Sequence, residues 1–152
     1  MTPNKEDYLK CIYEIGSRHK KITNKEIAQL MQVSPPAVTE MMKKMLAEEL
    51  LVKDKKAGYL LTDLGLRLVS DLYRKHRLIE VFLVNHLGYS TDEIHEEAEV
   101  LEHTVSERFV ERLDAMLQYP KTCPHGGTIP AKGELLDEEN QLTLEEASAP
   151  GD

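Results

Sequence analysis

Between residues 95 and 103 the sequence His95-Glu96-Glu97-Ala98-Glu99-Val100-Leu101-Glu102-His103 concentrates carboxylates and imidazoles, the side chains that hold divalent cations through oxygen and nitrogen. A helix with 3.6 residues per turn running through Val105, Phe109, Val110, Leu113, Met116 and Leu117 presents those residues as one apolar stripe. Carried back toward the N-terminus, the stripe bears His95, Glu99, Glu102 and His103. Glu96, Glu97, Glu107, Glu111 and Asp114 fall on the opposite side, where a charge run reads as a solvated face. Ionic groups turned toward a core cost several kcal/mol each unless paired or neutralised, so the stripe predicts a positive partner. His76 and Glu80, at i and i+4 on or beside the apolar face of the preceding helix, repeat the anomaly. The chain beyond residue 75 has only five Lys+Arg, and Arg77, Arg108 and Arg112 point away from the cluster by phase, which leaves a divalent metal. Carboxylates with imidazole and no thiolate favour a hard ion such as Mn²⁺ on ligand type; Fe²⁺, Zn²⁺ and Cd²⁺ are ions such donors accept in vitro. Cys123-Pro124-His125 is a separate Cys-x-His pair in a loop.

The elements that must carry these groups follow from periodicity and capping. Asn4 to Ile15 reads as a helix with Tyr8, Cys11, Ile12 and Ile15 on one face. Thr23-Asn-Lys-Glu26 is a capping-box pattern opening a second helix through Ile27, Leu30 and Met31. Gln32-Val33 turn the chain, Ser34 caps a third helix with Pro35 at its first position, and Val38, Met41, Met42, Met45 and Leu46 continue the apolar spacing. Leu51 to Asp54 and Tyr59 to Leu61 read as strands about the turn Lys55-Lys56-Ala57-Gly58. Thr62 caps a long fourth helix to about His86, whose apolar face is Leu68, Val69, Leu72, Ile79, Leu83 and Leu87, and Gly88 ends it. A single fifth helix is predicted from Asp92 to about Gln118, stopping before Pro120. Pro120 to Gly133 is loop, residues 134–152 contain seven acids and no Lys or Arg, and Ser148-Ala-Pro-Gly-Asp152 reads as linker.

Two helices joined by a short turn and followed by a basic β-hairpin are the order of a winged helix-turn-helix. The third helix is narrow enough to enter a major groove. Ser34, Pro36, Ala37 and Thr39 are its expected groove contacts, with small apolar groups suited to thymine methyls. Lys25, Lys43 and Lys44 are expected on phosphates, and Lys53, Lys55 and Lys56 on the wing. Residues 1–75 carry 14 Lys+Arg against 10 Asp+Glu, net +4, and residues 76–152 carry 5 against 17, net −12, within an overall −8. DNA binding is therefore expected of the first half only.

No apolar run exceeds the four residues Val81–Val84, and the first residues lack the apolar stretch of a signal peptide, so no membrane span is expected and a cytoplasmic location is. Two cysteines are too few for a disulfide framework. The absence of Trp and the presence of only two Phe argue against single-strand stacking. A di-iron carboxylate bundle would need Glu-x-x-His pairs, and none of the six histidines has Glu three residues earlier. No glycine-rich phosphate loop or nucleophile motif suggests catalysis. The remaining rival is a winged-helix dimer that ignores metal.

Glu6-Asp-Tyr-Leu-Lys-Cys-Ile-Tyr, Val33-Ser-Pro-Pro-Ala-Val-Thr39, Leu61-Thr-Asp-Leu-Gly65, Arg74-Lys-His-Arg-Leu-Ile-Glu80 and Glu97-Ala-Glu-Val-Leu-Glu-His103 carry a resemblance that spans nearly all of residues 1–145. The chain resembles the diphtheria-toxin-repressor-like metalloregulators, and among them the streptococcal-type manganese regulators. The resemblance implies a mainly α homodimer, with a winged helix-turn-helix domain at residues 1–62, a helical dimerisation and metal-binding domain at 63–140, and 141–152 as linker or the start of a third domain. It implies a primary metal site of Asp7, Glu99, Glu102 and His103, although periodicity alone gives Asp7 only a helix N-terminus to favour. A second site is implied from some of His76, Glu80, His95, Cys123 and His125. Iron-responsive members have Met and Cys where this chain has Asp7 and Glu99, which agrees with the hard-donor argument for manganese. Lys10 stands where some manganese members have a glutamate that helps bind a second ion beside the first. Members of this subset usually continue into an SH3-like domain, and 152 residues reach only its approach. The expected function is a Mn²⁺-dependent repressor of metal-uptake genes that binds a palindromic double-stranded operator as a homodimer, with no membrane partner and no organic substrate.

Overall fold

A computed structural model of the protein describes residues 4–136, so the expected linker at 141–152 lies outside the described residues. The chain forms two compact units, one ending at Val69 and the other spanning Ser70–Leu136. Six helices and a two-stranded antiparallel sheet make up the described part.

In the first unit, α1 (Lys5–Ser17) starts at a capping box: the Asn4 side chain accepts the Asp7 N–H at 3.0 Å, and the Asp7 carboxylate accepts the Asn4 N–H at 3.1 Å. Its buried face is Tyr8, Leu9, Cys11, Ile12 and Ile15. Thr23 takes the Glu26 N–H at 3.1 Å to open α2 (Asn24–Met31), which ends on Gln32 in the left-handed conformation. Ser34 then opens α3 (Pro35–Ala47), where proline sits at the helix start without forfeiting a hydrogen bond. α1 packs on α2 and α2 on α3, around Ile12, Ile15, Ile27, Val38, Met42 and Met45.

The wing is β1 (Leu51–Asp54) and β2 (Gly58–Leu61), in the register Leu51↔Leu61 to Asp54↔Gly58. Asp54 tightens its turn by accepting the N–H groups of Lys56 and Ala57. Gly58 is required here: its φ is +84°, and a Cβ would stand 2.0 Å from the Ile22 carbonyl oxygen. That close approach lets the Ile22 N–H reach Ala57 O at 2.8 Å, which ties the wing to the entry of α2.

Thr62 caps α4 (Asp63–Leu87) through the Gly65 N–H, and Gly88 at φ +72° follows its end. In the second unit the remainder of α4 packs with α5 (Ile94–Glu102), α6 (Glu107–Met116) and the 119–130 loop, around Leu78, Ile79, Leu83, Ile94, Ala98, Val110, Leu113, Cys123 and Ile129. Leu68 and Leu87 of the expected apolar face are exposed, while Leu78, His76 and Glu80 are buried. Burial along α4 therefore does not follow the single stripe that periodicity predicts.

The single fifth helix is two helices. Thr104 Oγ donates to Leu101 O, Ser106 Oγ accepts the Phe109 N–H at 3.1 Å, and His103 ends α5. Short hydroxyl side chains bond the local backbone in place of the helix ladder, and two of them within three residues stop α5 and restart α6. The stripe therefore cannot be carried across residues 103–106: Phe109, Met116 and His95 are exposed and Glu99 is half-buried, whereas Ile94, Ala98 and Glu102, spaced by four, are buried. Asp114, expected in solvent, is buried too.

Candidate metal centres and nucleic-acid surface

The second unit contains three groups of side chains able to offer a cation ligand atoms within 4.8 Å of one another: His76, Glu80 and His95; Glu80, Cys123 and His125; and His76, Glu99 and Glu102. Glu80 joins the first two. It is only 2% exposed, and its Oε2 lies 3.3 Å from His76 Nε2, 3.4 Å from His125 Nδ1 and 4.0 Å from His95 Nδ1. Burial pushes the Glu80 carboxyl up, but the hydrogen bond and charge of His76, with the charges of His125 and His95, outweigh it and hold it below the ordinary carboxylate value. One carboxylate beneath three imidazoles and a thiol is a donor set of the borderline kind, able to hold Mn²⁺, Zn²⁺ or Cd²⁺.

The 119–130 loop delivers two of these donors. A bridge between Thr122 and Thr128, with Cys123 N–H on Gly127 O and Gly126 N–H on Cys123 O, folds residues 122–128 back on themselves. Arg77, stacked on Tyr73, donates to Thr128 O and holds the loop against α4. Gly127 packs tightly here: a Cβ would lie 3.0 Å from Arg77 Nε and 3.3 Å from Cys123 Sγ, so either side chain would have to give. The Cys-x-His pair that reads as separate in the sequence is thus set against Glu80. The pairing joins residues more than 40 positions apart, so no local pattern signals it; only the resemblance grouped them.

Glu102, 1% exposed, is the buried member of the other group. Its Oε1 lies 3.5 Å from His76 Nδ1 and 3.8 Å from His103 Nε2, and Glu99 Oε1 lies 3.4 Å from His95 Nε2. A carboxylate this deep, ringed by imidazoles and by a second carboxylate, has the composition that a divalent cation neutralises. Asp7 serves the α1 capping box described above. Burial, with the carboxylates of Glu14 and Glu26, pushes the Cys11 thiol up to about 11, so Cys11 is a neutral core group and Cys123 is the thiol placed among donors.

One buried ionic pair lies outside the expected site residues. Arg74 Nη2 contacts Asp114 Oδ2 at 2.9 Å with both side chains buried. A cation does meet an inward carboxylate here, but on α6 and away from the α5 donors, because the break at Thr104 and Ser106 resets the phase. Sequence signals existed in those two hydroxyls and in Arg74 itself, which lies inside the α4 pattern.

In the first unit, Lys25, Ser34, Pro36, Ala37, Thr39, Lys43, Lys44, Lys53, Lys55 and Lys56 are all exposed. Ser34 Oγ is engaged by the Ala37 N–H and Thr39 Oγ1 donates to Pro35 O. Both hydroxyls stiffen the start of α3, the end that a recognition helix offers to bases. Tyr59 of the wing donates to Asn24 at the start of α2, at 3.0 Å.

Residues 1–59 match the iron dependent repressor N-terminal DNA binding domain, and residues 62–131 match the iron dependent repressor metal binding and dimerisation domain. The chain belongs to the iron dependent repressor family. It is therefore a metal-dependent, DNA-binding transcriptional regulator of the winged-helix class. The HTH-type transcriptional regulator MntR of Geobacillus kaustophilus (strain HTA426) is 33% identical over 118 residues, covering 78% of this chain and 83% of that protein. The crystal structure of ScaR with bound Zn²⁺ is 84% identical, with a TM-score of 0.85 over 97% of this chain and 69% of that one. The structure of the manganese regulator SloR is 70% identical, with a TM-score of 0.80 over 91% of this chain and 65% of that one. Among the described residues no helix is long and apolar enough to cross a membrane.

Proposed function

We propose that this repressor responds to manganese and controls metal-uptake genes, binding a palindromic operator as a homodimer only when loaded. The observation that carries the reading is the gathering of Glu99, Glu102, His103, His76, Glu80, His95, Cys123 and His125 in a unit with few competing cations. Its structural relatives support the choice of ion: ScaR is a manganese-activated repressor and SloR a manganese regulator, and ScaR also takes Zn²⁺ and Cd²⁺.

In this reading Glu99, Glu102 and His103 hold one ion together with Asp7, which joins them by resemblance, and residues chosen from His76, Glu80, His95, Cys123 and His125 hold another. A bound divalent ion supplies the positive charge that lets these carboxylates converge. Without it, Asp7, Glu99 and Glu102 repel one another and leave α1, with the winged helix attached to it, loosely placed. Converged, they fix that placement, so that the two α3 helices of a dimer enter successive major grooves about 34 Å apart. Lys25, Lys43, Lys44, Lys53, Lys55 and Lys56 neutralise phosphates, while Ser34, Pro36, Ala37 and Thr39 meet base edges. Metal and DNA affinities are then reciprocally coupled.

The test is operator affinity with and without Mn²⁺. We expect an increase of about 5- to 150-fold with metal that is lost in Glu102→Ala and His103→Ala. Equal affinities in the two conditions defeat the proposal.

A further inference from the structure

The buried side of α3 is Val38, Met42 and Met45. At 3.6 residues per turn, Glu40 lies about 170° around the helix from the centre of that side, and Lys43 and Lys44 flank it at about 130° on either hand. Glu40 is exposed and is the single carboxylate of α3. Among the described residues no ion pair or hydrogen bond holds that carboxylate, so even the i,i+4 arrangement with Lys44, of a kind that commonly closes on helix surfaces, is left open. A helix lying in a major groove about 12 Å wide turns the centre of its outward ridge to the base edges and its flanks to the phosphate walls. Long lysines suit the walls. An acid at the centre is repelled by the phosphates of every duplex unless the bases offer it a donor. Its neighbours add little polar readout: Pro36 and Ala37 bring apolar groups, Ser34 Oγ accepts the Ala37 N–H, and Thr39 Oγ1 donates to Pro35 O.

We propose that Glu40 is a specificity-determining residue that accepts the N4 amino group of a cytosine in each operator half-site. This rests on α3 being the recognition helix of the repressor proposed above. Donor chemistry chooses the base. In the major groove guanine shows the acceptors N7 and O6, thymine shows O4 and a methyl group, and adenine sets its N7 acceptor beside the N6 donor; cytosine alone shows a donor with no acceptor of its own. An ionised carboxylate only accepts. It is therefore repelled by guanine and thymine, opposed in part by adenine, and matched by cytosine. The charge then acts twice: it is satisfied at the cognate site, and at every other site it stands unpaired among phosphates. Both effects widen the gap between specific and non-specific binding.

Selection from a randomised double-stranded DNA library by the full, Mn²⁺-loaded chain tests this, with Glu40→Gln and Glu40→Ala selected in parallel. We expect the unsubstituted chain to enrich one C·G pair in each half-site and to reject other pairs there by about tenfold, the ordinary cost of one mismatch. Glu40→Gln should move the preference at that position to adenine, whose N6 and N7 a glutamine matches. Glu40→Ala should select no base there and should bind random duplex more tightly than the unsubstituted chain does. Replacing that cytosine by pyrimidin-2-one, which lacks N4, should cost the unsubstituted chain about tenfold and Glu40→Ala less than about twofold. Lys44→Ala, by contrast, should weaken binding to all sequences alike and reduce the salt slope by about one, with the selected motif unchanged. A motif that is the same with Glu, Gln and Ala at position 40, or a pyrimidinone cost that Glu40→Ala shares, overturns the assignment of Glu40 alone. Failure of the loaded, unsubstituted chain to enrich any sequence defeats the repressor reading and the assignment together.

Discussion

Arg74 and Asp114 show what an inward charge demands when a protein side chain supplies the answer. Arg74 is buried, and beyond its contact with Asp114 its Nε and Nη1 have no hydrogen-bond partner among the described residues. Desolvating two ions costs several kcal/mol each, and one well-made pair recovers it only while both partners remain. Asp114→Ala should therefore destabilise the second unit by about 3–5 kcal/mol in urea unfolding, and Arg74→Met combined with Asp114→Leu should cost less than Asp114→Ala alone. Glu80 and Glu102 face the same cost with imidazoles around them instead of a guanidinium. Imidazole can be neutral or a ligand, which makes those clusters adaptable to a metal where the Arg74–Asp114 pair is not.

Among the elements, the helix-turn-helix and the wing were legible because each boundary carries its own local chemistry. Thr23, Ser34 and Thr62 are hydroxyl caps, Pro35 sits where helices tolerate it, and Gly58 occupies a turn that needs a left-handed residue. Gly58→Ala should cost about 1–3 kcal/mol from backbone strain, with the contact to Ile22 O adding to it. Thermal unfolding should register the loss, and operator affinity should fall with it because the wing lysines lose their support. The division between α5 and α6 was missed for the converse reason: a persuasive apolar stripe ran through residues 105–117 and back to 95, and periodicity outweighed the quieter signal of Thr104 and Ser106. Of the acids and imidazoles that periodicity expects to face inward from this segment, the structure buries Glu102, half-buries Glu99 and His103 and leaves His95 exposed. Spacing by four from Ile94 and Ala98, read within α5 alone, would have singled out Glu102.

At the scale of the whole molecule, a regulator with two clusters of carboxylate, imidazole and thiol donors should be measurably unfinished without its ions. An ion that binds the native state alone stabilises it by about 2.7 kcal/mol at a hundred times its dissociation constant. Mn²⁺ should accordingly raise the unfolding temperature of the metal-binding unit by several degrees, a chelator should reverse it, and Glu102→Ala together with Cys123→Ala should abolish the response; differential scanning calorimetry reads all three.

The sequence alone determined the class of the protein: caps, turns and period-specific apolar faces are local, so they specified a winged helix followed by helices, and the charge asymmetry assigned DNA to one half. It also determined that acids and imidazoles sit where a core should be. Tertiary structure alone decided which donors meet, bringing Cys123 and His125 to Glu80, threading His76 between Glu80 and Glu102, and reserving Asp114 for Arg74. The physical reason is range: a hydrogen-bonded cap acts over three or four residues, whereas a cation site is a convergence of side chains from distant segments, fixed only when the apolar core draws those segments together.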